Sequence, residues 1–198
     1  MSESNVPQST SPDAGSPGDA DVIRAVDTWL QRAVIGLNLC PFARAPYAQQ
    51  RVRMRVTRAH DEEGLLTALA EELLLLRGAD PSICETTLLI HPDVLGDFFD
   101  YNDFLELADD LVRELKLEGE LQVASFHPDY MFADTTADAI ENYTNRSPYP
   151  MLHLLRGESI ERAVDSMSDT DDIFRRNIET LRQLGHDGWR KLMKKDAE

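Results

Sequence analysis

The sequence predicts an α/β (or α+β) fold, in which about four strands form a mainly parallel sheet packed with helices. Between residues 51 and 126, segments with the two-residue period of a strand alternate with segments of helical period. The chain has 198 residues, of which 42% are hydrophobic, so it can form one domain with its own core. Because four short strands are few for a doubly wound sheet, a ferredoxin-like antiparallel sandwich is the alternative.

The first element follows a polar tail. Residues 1–19 are mostly Ser, Pro, Gly and acidic residues, which predicts a disordered acidic tail, and residues 20–196 are the single globular domain. Apolar residues at helical spacing follow Asp21, a suitable N-cap. This helix should end near Leu39, because Pro41 disfavours helical geometry at the residue that precedes it.

The remaining elements follow from the same two periods. Arginines alternate with apolar residues from Arg51 to Thr57, which predicts a strand with one basic and one apolar face. Because this strand and the next two are separated by helices, we expect parallel neighbours with right-handed crossovers. The other predicted strands are residues 86–90, 121–126 and 151–155, and the other predicted helices are residues 61–76, 97–116, 159–167, 171–184 and 186–195.

The charge distribution narrows the possible ligands. A formal net charge of -16 argues against nucleic-acid binding, which requires a basic surface. Residues 22–60 nevertheless contain seven arginines and one acid, so Arg51, Arg53 and Arg55 are candidates for binding a small anionic ligand. The alternative is that acids of the third helix or of the C-terminal helices neutralise this face.

The sequence predicts neither a membrane span nor a secretory signal. No apolar run approaches the roughly 18 residues of a membrane span, and the N-terminus lacks the pattern of a signal peptide. Two cysteines give no disulfide framework, which fits a reducing compartment. We therefore expect a cytoplasmic protein without membrane association.

A His-Pro-Asp sequence follows two of the predicted strands, at His91 and at His127. The carboxyl ends of parallel strands meet at one edge of a sheet, where ligands bind, and His60 follows the first strand. Three imidazoles at one edge could bind zinc or iron, or one could act as a general acid or base. The alternative is structural, since Pro ends a strand and Asp begins a turn.

The segment from His127 to Pro150 is too long for an ordinary connection, which favours a functional loop. We expect His127 to act as acid or base with Asp129 orienting it, and Asn145, Arg146 and His91 to hold the substrate. Arg146 offers a planar fork for a carboxylate or phosphate. Alternatively, Arg146 only pairs with an acid of its own loop.

Cys40 precedes a proline, which favours the first position of a helix. This pattern would place Cys40 at a helix N-cap, with a lowered pKa suited to a nucleophile or a thiolate ligand of a metal or haem. The alternative is a small buried apolar residue.

Three classes of function remain open. The first is an enzyme that acts on a small anionic or carbonyl metabolite at the strand ends, with Cys40, His127 and Asp129 as catalytic residues. The second is a non-catalytic binding or assembly protein that uses the acidic helix at residues 97–116. The third is a metal or haem binder with thiolate and histidine ligands.

Several longer motifs resemble one family. They are GLNLCPFA (36–43), TTLLIHPDVL (86–95), LQVASFHPDYMFA (121–133) and TNRSPYPMLHLLR (144–156). Together they resemble an uncharacterised bacterial family, with plant relatives, classed as a domain of unknown function. The resemblance covers about residues 20–195 and implies no activity, cofactor or catalytic residue. The polar residues it shares are Cys40 with Pro41, His91, His127 with Pro128, Asn145 with Arg146, and His153.

Overall fold

A computed structural model describes residues 17–165 and 171–194. The predicted disordered tail lies almost entirely outside these residues. The described residues form a single domain in which helices pack on both faces of one four-stranded sheet. No helix within the described ranges combines the length and the apolar character needed to cross a membrane.

The sheet is mixed. Its strands are β1 (Val52–Val56), β2 (Thr86–Ile90), β3 (Leu121–Phe126) and β4 (Met151–Arg156), in the order β1-β2-β4-β3. β1 and β2 are parallel, whereas β4 is antiparallel to both of its neighbours.

The prediction of a mainly parallel sheet is therefore wrong. The connection from His127 to Pro150 returns the chain to the edge at which β3 ends, so β4 runs back between β2 and β3. The parallel pair of β1 and β2 also departs from the alternative, an antiparallel ferredoxin-like sandwich. β1, β2 and β3 still point the same way, so their carboxyl ends share one edge of the sheet.

The helices largely follow the predicted pattern. Asp61 and Asp97 cap two of them, since their carboxylates accept hydrogen bonds from backbone N–H groups of the first turn. The helices are α1 (Asp19–Trp29), α2 (Arg44–Ala48), α3 (Glu62–Gly78), α4 (Phe98–Glu114), α5 (Gly157–Asp165) and α6 (Asp171–Lys194), with a π-helix at Leu30–Ile35 and a 3-10 helix at Ile140–Thr144.

Two predicted boundaries of the first helix differ from the structure. The helix begins at Asp19 after the N-cap Gly18, so Asp21 lies in its first turn and does not cap it. The first helix does not reach Leu39, because its last turns widen into the π-helix, which ends at Ile35.

The predicted break between the two C-terminal helices is confirmed, because Gly185, with φ 63° and ψ 173°, kinks α6 between two helical segments. Glycine tolerates this positive φ without steric cost, so the chain changes direction there.

The core has one layer on each face of the sheet. α3 and α4 pack leucines and aromatic residues against Leu89, Leu152 and Leu154. On the opposite face, α1 and the π-helix pack against Leu88 and Ile90, with α6 beside them. Each strand thus alternates its side chains between two buried layers, as the period of two requires.

The arginine face of β1 is neutralised within the molecule. Arg53 donates two hydrogen bonds to Glu72, at 2.8 and 3.0 Å, and Arg55 lies 3.6 Å from the same carboxylate. Arg51 pairs with Glu85 at 2.8 Å. The sequence suggests acids of the predicted helix 97–116 or of the C-terminal helices. Instead, Glu72 lies in α3 and Glu85 directly precedes β2. The reason is that the arginines lie on the face of the sheet that α3 covers.

Glu72 provides a test of this neutralisation. Its carboxylate is only 7% exposed and receives both arginines, so Glu72→Ala should lower the free energy of unfolding by about 2 kcal/mol. The neighbouring Glu71 is exposed, and Glu71→Ala should change that free energy by less than about 0.5 kcal/mol. Urea denaturation measures both, and equal losses in the two variants would contradict the account.

Candidate functional site

A cluster of aromatic and imidazole rings lies at the edge where β2 and β3 end. His91 follows β2, His127 follows β3, and Tyr101 of α4 stands between them. The His91 ring stacks on the Tyr101 ring, with 5.8 Å between their centroids, and the centroid of the His127 ring lies 5.1 Å from that of Tyr101. The Phe98 ring lies on one side of this cluster, with its centroid 5.5 Å from that of the His127 ring. All three polar rings are buried, so this edge is the candidate site.

The hydroxyl of Tyr101 holds this arrangement together. It donates a hydrogen bond to the carbonyl of Met151 at 2.9 Å and accepts one from the amide of Phe126 at 3.1 Å. Phe126 and Met151 are opposite each other in the register of β3 and β4. One side chain of α4 therefore ties together the last residue of β3 and the first residue of β4. Burial raises the pKa of Tyr101, so the hydroxyl keeps its proton.

The ring of His127 is fixed as one neutral tautomer. The amide N–H of Asp129 donates to its Nδ1 at 3.0 Å, so the ring proton is on Nε2, which donates to the carbonyl of Leu95 at 3.2 Å. Burial lowers the pKa of His127, although the carboxylates of Asp129 and Asp97 partly oppose this effect. Asp129 therefore orients His127 through its backbone, while its side chain is exposed.

The ring of His91 has the opposite tautomer. Its Nδ1 lies 3.1 Å from the carbonyl of Val94, which can only accept, so Nδ1 carries the proton. Nε2 then presents a lone pair that has no hydrogen-bond partner among the described residues, although the side chain is completely buried. Burial lowers the pKa of His91 to about 4, so the ring is neutral at pH 7. The two imidazoles thus offer one N–H donor and one free acceptor.

The turn after β2 carries local strain. Leu95, whose carbonyl receives the N–H of His127, has φ 55°, a left-handed conformation that is unfavourable for a residue with a side chain. The next two residues, Gly96 and Asp97, are exposed. A short strained turn therefore covers the ring cluster from the solvent side.

The long loop from His127 to Pro150 is ordered by its own polar groups. Its ends hold the two histidines, because the amide of His127 donates to the carbonyl of Asn145, and that of His91 donates to the carbonyl of Pro150. Asn145 donates to the carbonyl of Ser125 at 3.2 Å. Arg146 donates to the carbonyls of Tyr130 and Ala137, and its guanidinium lies 4.7 Å from the centre of the Tyr143 ring. Asn145 and Arg146 therefore stabilise the conformation of the loop through hydrogen bonds to backbone carbonyls.

Sequence reasoning missed Asn142, the residue that organises the centre of this loop. Asn142 is completely buried, its Oδ1 accepts from the amide of Phe132 and the hydroxyl of Thr135, and its Nδ2 donates to the carbonyl of Thr136. The only signal in the sequence was an asparagine within a segment rich in turn residues. A side chain that satisfies three backbone or hydroxyl groups within its own segment makes a long loop rigid.

Cys40 is not brought to the ring cluster. It packs against the core layer of α1 and the π-helix, whereas Tyr101 belongs to the layer on the other face of the sheet. The expected N-cap is absent, because the next helix, α2, begins at Arg44. Burial raises the pKa of the Cys40 thiol against the opposing hydrogen bonds from the amides of Phe42 and Ala43, so the thiol is protonated at pH 7.

His153 also faces the layer that contains Cys40. Its Nε2 lies 2.7 Å from the hydroxyl of Thr86, which itself donates to the carbonyl of Leu154. His153 Nε2 is therefore the donor in this pair. Burial lowers the pKa of His153 to about 4. These contacts fix His153 within the sheet.

The described residues contain no group of three or more His, Cys, Asp or Glu side chains arranged to hold a metal ion. The His60 side chain is exposed on the chain after β1. Surface grooves of about 520 and 430 Å³ lie along α6 and beside β1, and the residues that line them do not include the ring cluster. Of the predicted site residues, His91 and His127 are the two whose rings the structure places in the ring cluster.

Comparison with known proteins identifies the family of the chain. No curated protein and no solved structure matches it. A family model described as a protein of unknown function matches residues 21–191, which confirms the resemblance seen in the sequence motifs. This range includes His91, Tyr101 and His127 and covers most of the chain, which therefore belongs to the DUF1415 family.

Proposed function

We propose that the protein is an enzyme that binds a small uncharged carbonyl compound at the carboxyl ends of β2 and β3 and moves a proton next to the carbonyl group. The observation that carries this proposal is the buried, unpartnered Nε2 of His91, with the neutral His127 in contact with the same Tyr101 ring. An unsatisfied buried acceptor costs roughly 1–3 kcal/mol, so a ligand that donates an N–H or O–H hydrogen bond would be stabilised there.

The two imidazoles have complementary roles in this proposal. His91 Nε2 accepts a proton from the carbon beside the carbonyl, and the electrons of that C–H bond form the enolate. His127 Nε2–H donates a hydrogen bond to the carbonyl oxygen, where the negative charge develops. For this step, His127 exchanges its bond to the Leu95 carbonyl for one to the ligand. The strained turn at Leu95 is the segment that moves to admit the ligand.

An uncharged carbonyl compound is favoured over an anion. The arginines of β1 are paired with Glu72 and Glu85, and Arg146 donates to loop carbonyls. The carboxylates of Asp129 and Asp97 act electrostatically on His127, and they would repel an anion. In this proposal Asn145 and Arg146 keep the loop in place, and the Cys40 thiol takes no part in proton transfer.

Proton exchange in deuterium oxide tests the proposal without knowledge of the natural substrate. The protein is incubated with acetone, cyclohexanone or acetophenone, and proton NMR follows the loss of signal at the carbon beside the carbonyl. We expect exchange faster than in buffer, a return to the buffer rate in His91→Phe, and a 10²–10⁴-fold slower catalysed rate in His127→Phe.

His60→Ala is the matched control, because it removes an exposed histidine at the end of β1. It should retain the wild-type exchange rate. Exchange that is no faster than buffer with all three ketones, or a His91→Phe variant as fast as the wild type, would contradict the proposed function. Circular dichroism of each variant shows whether its fold is intact.

The pKa of His91 also predicts how stability depends on pH. The ring titrates near 6.5 in the unfolded chain and near 4 in the folded protein, so the unfolded state binds the proton more readily. The stabilisation by the neutral His91 ring is complete above pH 6.5 and is lost as the pH falls towards 4. This loss lowers the free energy of unfolding by about 3 kcal/mol at most. In urea denaturation over this range, His91→Phe should lose less stability than the wild type. Parallel curves for the two proteins would show that His91 is not buried in its neutral form.

A further inference from the structure

A continuous line of aromatic rings crosses the surface beside the ring cluster. We call this set the aromatic stripe. Neighbouring ring centres are separated by 5.9, 5.2, 5.0 and 6.2 Å in turn. The stripe consists of Phe99 and Phe98 of α4, Tyr130 and Phe132 of the long loop, and Phe174 of α6.

Both ends of the stripe are exposed. Phe99 is 64% and Phe174 51% accessible to solvent, and they are the two exposed aromatic side chains among the large exposed hydrophobic residues of the described ranges. A scattered exposed phenylalanine needs no explanation, but two that are joined by unbroken ring contacts form an apolar patch. Such patches mark surfaces that associate with another molecule.

The middle of the stripe is held rigid. Arg146 donates to the carbonyl of Tyr130, and Asn142 accepts from the amide of Phe132, so the backbone that presents these rings is fixed by partly buried hydrogen bonds. A surface that is already ordered loses little conformational entropy when it binds.

The charges beside the stripe indicate what kind of partner fits. Exposed acidic residues neighbour the stripe along the chain: Asp97 and Asp100 next to Phe98 and Phe99, and Asp129 and Asp134 near Tyr130 and Phe132. Aromatic faces beside carboxylates attract Lys and Arg side chains, through both cation–π contact and ion pairing. The sequence after Phe174 is Arg175-Arg176, so the acidic end of the stripe is the end at Phe99.

We propose that the aromatic stripe is a docking surface for a segment of a partner protein that combines Lys or Arg with apolar side chains. The basic residues bind at the Phe99 end, between the carboxylates, and the apolar residues cover Tyr130 and Phe132. The stripe shares Phe98 with the ring cluster, but the variants that test this proposal leave His91, Tyr101 and His127 unchanged, so it can fail independently of the proposed reaction.

Two synthetic peptides of equal charge test the proposal on the full chain. One ten-residue peptide contains Arg and Leu, and the other contains Arg and Ser. Isothermal titration calorimetry and amide NMR shifts should show that the Arg/Leu peptide binds at least 10-fold more tightly and shifts the signals of Phe99, Tyr130 and Phe132. Equal affinity for both peptides would mean that net charge alone attracts them, which would overturn the proposal.

Variants with matched controls locate the surface. Phe99→Ser should weaken binding of the Arg/Leu peptide at least 10-fold, whereas Ile83→Ser, at a 72% exposed apolar residue outside the stripe, should leave it unchanged. Asp100→Asn should weaken binding and reduce its salt dependence more than Asp109→Asn, which removes an exposed acid farther along α4.

Two further results would overturn the docking proposal. One is equal weakening by Ile83→Ser and Phe99→Ser. The other is a concentration-dependent dimer, measured by light scattering, that Phe99→Ser abolishes, since the stripe would then bind a second copy of this chain.

Discussion

The hydrogen bonds of the Tyr101 hydroxyl are the contact on which the rest of the candidate site depends. This one group joins α4 to the end of β3, through the amide of Phe126, and to the start of β4, through the carbonyl of Met151. The ring that carries the hydroxyl separates the two imidazoles, so the same side chain sets the strand ends and the positions of His91 and His127. A buried hydroxyl with both a donor and an acceptor role satisfied stabilises such a junction.

The sequence predicts the parts of this arrangement that are local. The bounds of β2 and β3 follow from short apolar runs ended by His-Pro-Asp, and the helices follow from apolar spacing and from Asp caps. The direction of β4 could not be predicted, because an apolar run such as Met151–Leu155 reads the same in either orientation. Its direction is set by the loop before it, and that loop is held by contacts of Asn142 and Arg146 that span many residues.

The candidate site was predictable to a similar degree. The His-Pro-Asp repeat placed His91 and His127 at one edge because both strands end there. The hydrogen-bond partners of each ring could not be predicted, because they are backbone groups. His127 accepts from the N–H of Asp129 and donates to the carbonyl of Leu95. His91 donates to the carbonyl of Val94. Residue type indicates side-chain chemistry, but every residue has the same backbone groups, so sequence carries little information on which of them will meet a ring.

The most direct test of the role of Tyr101 is amide hydrogen exchange in Tyr101→Phe, measured by NMR at pH 7. This variant keeps the ring and removes only the hydroxyl, so Phe126 loses the acceptor of its N–H. We expect amide exchange at Phe126 to be at least about 10-fold faster, with the exchange at Val123 in the middle of β3 unchanged. Equal protection of Phe126 in the variant and the wild type would contradict the claim that this hydroxyl holds the strand ends.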